Sequence, residues 1–547
     1  MEQVIQSLKS KQIPVLEPGN PEYRHAIATS NLVFRFCRPD FVVQPENAAQ
    51  VQAIIREAKA RSLKVTIKCN GHSYAGHSTA DTGISLDLRR MKRVKLDVES
   101  MLVTMDAGCQ WGDVYETLII GGHDGLIING GRCPTVGVSG FILGAGLGPF
   151  TRSFGMGADT LAEATVVTAT GDLVTVSESD PPMSKNGRLF WALRGAGGGN
   201  FGVVVEMKLK VQKLSNYQKT VVAGRYTWYP KGGITDELVE VMNAFYATLW
   251  PKKLTIDSTW ACDLTDSSNE GGVRFNVAFD GLKREYNGLI DSSIAHEELK
   301  TQLKRRVLPE PSTRFLYETL VAQWLEEMER AYPSNKTYEL YSSFVFTNSD
   351  PAKLATITGL IRGLMTEFRT QFKGEKVTFL VTWIHSGGKA SEPRPDATAY
   401  FWREAVFHAY VTVEWVDKWM ERDMRAFLAK VKRALRPHSL GEEAAFINFP
   451  DRDFPGRLHE RAYFGDNTEE LRRIKQMWDP EGFFKWPQGV KRPGDPDEED
   501  EEADEDGEDQ TDRLASEQWA KRWKHNKPAD LEAEFADLGE RGFDEDE

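Results

Sequence analysis

The sequence is short of cysteine, of long apolar runs and of excess positive charge. Five cysteines occur among 547 residues, and an odd number at irregular spacing does not indicate a disulfide framework. No apolar run reaches the ~18 residues of a membrane-spanning helix. The N-terminal residues contain no apolar core of a secretory signal. We therefore expect a cytoplasmic protein with reduced thiols and no membrane partner.

The formal net charge of −13 argues against a nucleic-acid partner. This charge is concentrated in one stretch, because residues 495–512 include 13 Asp or Glu and no Lys or Arg. A segment so charged and so poor in apolar residues cannot bury a core of its own. We predict that residues 491–547 form an acidic tail, a linker or a partner-binding segment, with a helix-like stretch at 512–526.

The apolar patterning predicts an α+β protein with two domains, the first spanning residues 1–214. Short strand-like segments alternate there with helix-like ones. Asn47 is placed to cap one predicted helix. The apolar face of this predicted helix is formed by Val51, Ile54, Ile55 and Ala58.

A second domain is predicted over residues 215–440, with a sheet backed by helices. A compact aromatic segment, 441–490, follows it. The strand-like segments of this domain are 220–229, 255–264, 273–281, 337–346 and 376–388. The helix-like segments are 236–250, 317–332, 352–368 and 413–436.

Three glycine-rich stretches, 67–78, 129–150 and 193–211, suggest either tight turns or loops that bind a ligand through the backbone. A P-loop is excluded because no Gly-Lys-Ser or Gly-Lys-Thr occurs. A Rossmann fingerprint requires a helix after the glycines, whereas the third stretch continues into an alternating, strand-like run. Backbone N–H groups in such loops can still surround a pyrophosphate.

Cys69 and His72 have the spacing of half a zinc site. No second pair of ligands with compatible spacing is present, so we predict no metal. The alternative is a buried thiol beside a hydrogen-bonded histidine.

Together and in this order, four segments resemble the FAD-linked oxidases with a PCMH-type flavin domain, in the vanillyl-alcohol oxidase superfamily. More narrowly, they resemble the berberine bridge enzyme-like branch. Asn70 and Ala196 stand where the family has glycine. The segments are 68–73 (Lys-Cys-Asn-Gly-His-Ser), 130–137 (Gly-Gly-Arg-Cys-Pro-Thr-Val-Gly), 194–202 (Arg-Gly-Ala-Gly-Gly-Gly-Asn-Phe-Gly) and the closing segment 463–490.

The resemblance implies a bicovalently bound FAD. His72 would bond to the 8-methyl carbon of the flavin and Cys133 to ring carbon 6. The closing segment would return to the flavin domain. The other residues implied to contact the cofactor are Lys68, Asn70, Gly71, Ser73, His77, Gly131, Val136, Gly137, Gly140, Gly144, Val204 and Asn448.

Val136 bears on the electron acceptor, because a small branched residue at this position in the family leaves dioxygen access to the flavin. The resemblance thus implies an oxidase that takes hydride from an alcohol, an amine or a secondary metabolite and forms hydrogen peroxide. A dehydrogenase with another acceptor, and a non-redox flavin-bound cyclase or binding protein, are the alternatives. The substrate and the oligomeric state are left open.

The usual proton acceptors of the family are missing. Phe446 and Phe449 replace the tyrosines of its Tyr-x-Asn-Tyr motif, Ala397 stands near its glutamate, and Phe141 replaces its histidine. These phenylalanines indicate a rather apolar pocket, in which Trp383 and Trp402 could still stack on a sugar. The replacement bases that we consider are His385, Tyr400 and Asp396, with Arg152 as a charge partner.

Overall fold

The computed structural model describes residues 1–29, 31–266, 270–318, 337–454 and 458–495. Residues 496–547, with the helix-like stretch 512–526, lie outside the described residues. The same applies to most of the helix predicted at 317–332. Within the described ranges, the chain has an α+β architecture.

A small sheet begins the first part of the chain. Its strand order is β1-β2-β4-β3, and the β2–β4 and β3–β4 pairs are parallel. The helix α3 (Ala48–Ala60) connects β2 to β3, and Asn47 caps it by accepting from the Gln50 N–H, as predicted. Its buried face is the predicted apolar one. The strands are β1 (Val15–Leu16), β2 (Phe41–Val43), β3 (Val65–Lys68) and β4 (Ile84–Asp87).

A second, antiparallel sheet follows, with the order β5-β6-β10-β8-β9. Its central strand, β10, follows directly on the glycines of the third stretch, which confirms the strand predicted there and excludes a Rossmann helix at this point. The strands are β5 (Val94–Asp97), β6 (Leu102–Asp106), β8 (Leu161–Val167), β9 (Leu173–Ser177) and β10 (Val203–Lys210). The short strands β7 (Leu126–Ile127) and β11 (Gln212–Lys213) pair with each other.

The second part of the chain is built on a seven-stranded antiparallel sheet with the order β15-β12-β14-β13-β17-β18-β16. In β17 the odd-numbered residues from Val377 to Trp383 are buried against helices, whereas Thr378, Leu380 and Thr382 face the other side. The strands are β12 (Thr220–Trp228), β13 (Leu254–Asp263), β14 (Gly272–Phe279), β15 (Val307–Pro311), β16 (Tyr338–Phe346), β17 (Val377–His385) and β18 (Phe407–Trp415).

Three amphipathic helices cover the apolar face of this sheet: α8 (Asp236–Ala247), α11 (Pro351–Gln371) and α12 (Glu421–Leu435). The helix predicted at 413–436 is wrong at its start, because residues 413–415 belong to β18. There the alternation of Phe407, Ala409, Val411 and Val413 places apolar side chains in the core, and this two-residue period overrides the helical one.

In the structure the closing segment comprises residues 441–490. It shares a core with the first part of the chain, and its residues 444–451 also contact the seven-stranded sheet. Ala445, Leu471 and Phe484 share one apolar core with residues of the first two sheets. The Lys475 ammonium donates to the Asn200 carbonyl at 2.6 Å. We therefore propose domain boundaries near residues 214 and 440, with 441–490 completing the first domain.

The remaining helices are α1 (Glu2–Ser10), α2 (Pro21–Ile27), α4 (Trp111–Ile120), α5 (Val138–Leu143), α6 (Thr151–Phe154), α7 (Lys185–Ala192), α9 (Lys283–Ser293), α10 (Glu297–Arg306), α13 (Leu458–Phe464) and α14 (Thr468–Trp478). None of the described helices is long and apolar enough to cross a membrane.

Candidate active site

A cavity of about 490 Å³ lies between the glycine-rich loops and the polar face of the seven-stranded sheet. All three glycine stretches reach it. Residues 446–450 and 484–486 of the closing segment contribute further lining. Motifs that are distributed over more than 400 residues of the sequence therefore lie together around this cavity.

The loop after β3 is fixed by hydrogen bonds on both sides. The Asn70 amide nitrogen donates to the Gly108 carbonyl at 3.1 Å, and the Gln110 amide nitrogen donates to the Asn70 side-chain oxygen, also at 3.1 Å. Lys68 does not line the cavity. Its ammonium donates to the Ala26 carbonyl at 2.7 Å, and burial lowers its pKa to about 8.

His72 and Cys133, 61 positions apart in the sequence, meet at one wall of the cavity. The Thr135 hydroxyl oxygen lies 3.1 Å from His72 Nε2 and 3.3 Å from Cys133 Sγ. Thr135 stands behind both side chains and does not line the cavity. The sequence motifs predicted the histidine and the cysteine, but they did not single out the hydroxyl between them.

Cys69 turns away from this pair. Its thiol donates to the Ala107 carbonyl at 2.9 Å, and burial raises its pKa. Among the described residues there is no group of three or more His, Cys, Asp or Glu side chains that could hold a metal ion. The loop is therefore built for a buried thiol and a histidine that faces the cavity.

The cavity wall fits a dinucleotide. Gly197 and Gly199 have φ values of 85° and 74°, which favour glycine, and their backbone is exposed to the cavity. The Ser78 hydroxyl lines the same wall, is buried and has no hydrogen-bond partner in the described chain. Bare backbone and an unsatisfied hydroxyl are the features that a phosphate-bearing ligand would use.

Several other residues implied by the resemblance also line the cavity: Asn70, Gly71, Ser73, His77, Gly131, Val136, Gly137, Gly140, Val204 and Asn448. Burial lowers the pKa of His77 to about 3, so its ring is neutral, and the ring lies 4.1 Å from that of Trp486. Gly144 does not line the cavity. A Cβ atom at this position would stand 1.9 Å from Asn448 Oδ1, so Gly144 permits the close approach of the closing segment.

The predicted bases His385 and Tyr400 lie outside the cavity lining. His385 is buried and accepts from the Ile256 N–H through Nδ1, and burial holds its pKa well below the usual value. The Tyr400 hydroxyl lies 2.5 Å from His408 Nε2, and burial raises its pKa. Both side chains are occupied within the packed core, which the sequence pattern could not indicate.

Asp396 and Arg152 are also placed away from the cavity. Asp396 is exposed and paired with Arg394. Arg152 is buried and donates to the carbonyls of Leu254, at 2.7 Å, and of Trp250, at 2.6 Å. It therefore joins α6 to the seven-stranded sheet.

Trp383 and Trp402 are not available for stacking on a ligand. Trp383 is fully buried in the core beneath the seven-stranded sheet, where its ring stacks on Tyr246 with the centroids 4.3 Å apart. The Trp402 indole donates to the Ala462 carbonyl at 2.8 Å and packs within a separate cluster. The expected tryptophan platform for a sugar is wrong.

Sequence reasoning missed Asp257, which is the one carboxylate lining the cavity among the described residues. Its Oδ2 lies 2.5 Å from Arg132 Nη2, and its Oδ1 accepts from the His385 N–H at 2.9 Å. Burial raises the pKa of Asp257, and the ion pair with Arg132 opposes that rise. No local pattern around Asp257 marks it, because its position depends on which face of β13 meets the cavity.

The strands place two rows of polar residues on that face. In one row Asp257 pairs with Asn276, which pairs with Arg225. The next row runs from Arg274 through Thr259 and Thr382 to Tyr410. All of these residues line the cavity, so register across the sheet creates this wall.

A group of aromatic rings adjoins the Tyr410 end of this row. The Phe449 ring lies 4.5 Å from that of Tyr410 and 5.6 Å from that of Tyr74, and Tyr74 stacks on Tyr341 at 4.0 Å. Tyr74, Tyr410 and Phe449 line the cavity. With Phe446 and Phe449, the described part of the closing segment has no phenol group at the cavity. Tyr410 on β18 and Tyr74 in the loop after β3 provide phenol groups at the cavity instead.

Comparison with known proteins agrees with this geometry. Residues 39–177 match the family model described as FAD binding domain, and residues 445–491 match the one described as berberine and berberine like. A FAD-linked oxidoreductase of Bacillus subtilis, YgaK, is 26% identical over 87% of this chain and 96% of its own length. The xylooligosaccharide oxidase of Thermothelomyces thermophilus is 25% identical over 88% of this chain and 93% of its own.

The structure of berberine bridge enzyme from Eschscholzia californica superimposes with a TM-score of 0.76 at 20% identity, covering 90% of this chain and all of the other. The fold and the site together define a FAD-linked oxidoreductase. Within that class, the chain is similar to the berberine bridge enzyme-like proteins, since it carries both a FAD-binding domain and a berberine-like domain.

Proposed function

We propose that this enzyme is an oxidase that holds FAD by two covalent bonds, from His72 and Cys133. It would take hydride from a small-molecule alcohol, amine or secondary metabolite and pass the electrons to dioxygen. The observation that carries the proposal is the approach of both side chains to one hydroxyl, at 3.1 and 3.3 Å, on the wall of a glycine-lined cavity. An imidazole and a thiolate so placed are the two nucleophiles that a double attachment requires.

The bound flavin would supply the hydride acceptor, and the protein would orient substrate and cofactor. Asn70, Gly71 and Ser73 would present backbone to the pyrophosphate. Asn448 would hold the closing segment against the second glycine stretch, because its amide nitrogen donates to the Phe141 carbonyl at 3.0 Å. The other cavity-lining residues implied by the resemblance complete the proposed cofactor site.

The proton of the substrate would go to a group that faces the cavity, and Tyr410 and Asp257 are the candidates. Tyr410 stands beside Phe449, where the family motif has a phenol. The Asp257 carboxylate is already paired with Arg132, which opposes the rise in pKa caused by burial and so weakens it as an acceptor. We therefore assign proton acceptance to Tyr410, which would take the proton in its ionised, phenolate form, and a positioning role to Asp257.

The aromatic wall supports a substrate with a flat, unsaturated body rather than a sugar. Tyr74, Phe449 and Tyr410 line the cavity as a group of neighbouring aromatic rings, and the sheet adds hydroxyl and guanidinium groups. Aromatic pairs of this kind add about 0.5–1.5 kcal/mol beyond burial. A screen that pairs aromatic alcohols and amines with mono- and disaccharides, followed by bleaching of the flavin absorbance, tests this assignment.

Covalent attachment is tested by acid precipitation of the purified protein. We expect the yellow absorbance to remain with the pellet, and His72→Ala with Cys133→Ala to release all of it. Cys37→Ala is the matched cysteine control, because Cys37 does not line the cavity. Release of all flavin from the wild type would overturn the covalent proposal.

A dehydrogenase is the second candidate. Val136 lines the cavity and is only partly buried, which favours access of dioxygen and hence the oxidase. Rapid mixing of the reduced enzyme with dioxygen separates the two, since slow reoxidation would favour another acceptor. If no compound in a broad screen bleaches the flavin, the non-redox alternative replaces both.

A further inference from the structure

Thr135 lies at a point where two parts of the proposed attachment site meet. Its hydroxyl is within hydrogen-bond distance of His72 Nε2, at 3.1 Å, and of Cys133 Sγ, at 3.3 Å. The side chain is partly buried and stands behind both residues, away from the cavity. It can therefore contact the two nucleophiles without touching a ligand in the cavity.

The backbone on both sides of Thr135 is tied to the start of α4. The Pro134 carbonyl accepts from the Gly112 N–H at 2.8 Å, and the Val136 carbonyl accepts from the Trp111 N–H at 3.1 Å. Pro134 also restricts its own φ. The Thr135 hydroxyl is thus held by a rigid turn, so its distances to the two nucleophiles follow from the fold.

A threonine hydroxyl can donate one hydrogen bond and accept two. Here it can accept from the Cys133 thiol while it donates to His72 Nε2. A thiol is a nucleophile only after it loses its proton, and this chain of contacts offers the proton a path to the imidazole.

We infer that Thr135 is a positioning residue that passes the Cys133 proton to His72 and so promotes the second covalent bond to FAD. The inference rests on the bicovalent attachment proposed above. When the bond forms, the Cys133 sulfur and ring carbon 6 each lose one hydrogen. The two electrons and two protons go to dioxygen and give hydrogen peroxide, so atoms and electrons balance.

The test compares Thr135→Val, which removes the hydroxyl at nearly constant volume, with Thr135→Ser, which keeps it. Each protein is purified as the holoenzyme and digested, and mass spectrometry measures the flavin-bearing fractions of the His72 and Cys133 peptides. We expect Thr135→Val to keep the histidyl bond and to lose the thioether by a factor of about ten or more, because a positioned proton acceptor contributes ~10²–10⁴-fold to rate. Thr135→Ser should restore it.

A second measurement separates proton transfer from a merely structural role. Above the ordinary thiol pKa of about 8.5, the thiolate forms without help. Expression or incubation of Thr135→Val in air at pH 9.5 should therefore recover the thioether, whereas a misplaced Cys133 would not recover. Thr165→Val, at a hydroxyl pair on β8 and β9, is the matched control and should leave both bonds unchanged.

A wild-type thioether fraction in Thr135→Val at pH 7, or no recovery at pH 9.5, would overturn the inference. Failure of the proposed function gives a different result. In that case the wild type itself would carry no flavin on either peptide. If Thr135→Val does not fold, Thr135→Ala is measured in its place with the same two outcomes.

Discussion

The ion pair between Arg132 and Asp257 offers the most direct test of how the cavity is held together. Asp257 and Arg132 have side chains 6% and 21% exposed, and their charged atoms lie 2.5 Å apart. Arg132→Met keeps most of the side-chain volume and removes the charge. It leaves the Asp257 carboxylate buried, with the His385 N–H still donating to its Oδ1 at 2.9 Å. Breaking a buried pair from one side typically costs about 3–5 kcal/mol of unfolding free energy.

The cost should depend on pH. Burial already raises the pKa of Asp257, and Arg132 opposes that rise, so its removal raises the pKa further. The pKa of such a carboxyl group is about 3.9 in the unfolded state and higher in the folded state. Its contribution to the free energy of unfolding is therefore lost as the pH increases through the folded-state pKa. Each additional unit of difference between the folded and unfolded pKa adds about 1.4 kcal/mol to this loss of unfolding free energy. Arg132→Met should therefore be more destabilised at pH 8 than at pH 5.

Denaturant titrations followed by tryptophan fluorescence at both pH values measure this effect. Arg132→Met with Asp257→Asn should be less destabilised than the sum of the single variants and should lose the pH dependence, because no charge remains buried. Arg394→Met is the matched control, since Arg394 forms an exposed pair with Asp396 and such pairs contribute about 0–1 kcal/mol. An equal loss in Arg132→Met and Arg394→Met, or no change with pH, would refute the reasoning.

Three further predictions concern the cavity wall. Tyr410→Phe should reduce kcat by ~10²–10⁴-fold with little change in flavin content, and Asp257→Asn should reduce kcat less. Steady-state turnover measures kcat, and the absorbance of the denatured protein measures the flavin content. Val136→Leu should slow the reoxidation of the reduced enzyme by dioxygen by about tenfold, which equals about 1.4 kcal/mol of activation free energy. Rapid mixing measures this rate, and an unchanged rate would show that Val136 does not control access of dioxygen. Gly144→Ala should displace the segment around Asn448, because the new Cβ would lie 1.9 Å from its amide oxygen; lower FAD content and a lower melting temperature are the readouts.

Local patterns were sufficient for much of the fold. The helix after Asn47 and the strand β10 after the glycines of the third stretch have the predicted type. Their period, and the residue that caps the helix, are properties of adjacent residues. The start of the helix predicted at 413–436 was wrong, because β18 extends to Trp415. Pairing with two neighbouring strands decided that boundary, and a single segment carries no information about its partners.

The residues of the candidate site also divide into those that local sequence motifs predict and those that the tertiary structure decides. The sequence by itself predicted most residues of the proposed cofactor cradle, including His72 and Cys133, because short contiguous motifs carry both the permissive backbone and the nucleophiles. Lys68 and Gly144, predicted with them, lie outside the cavity lining. Only the tertiary structure decided that Tyr410 and Asp257 face the cavity, while His385 and Tyr400 are enclosed in the core. The physical reason is that side chains of a strand alternate between two faces. Which face meets the cavity depends on the register of strands that lie far apart in the chain.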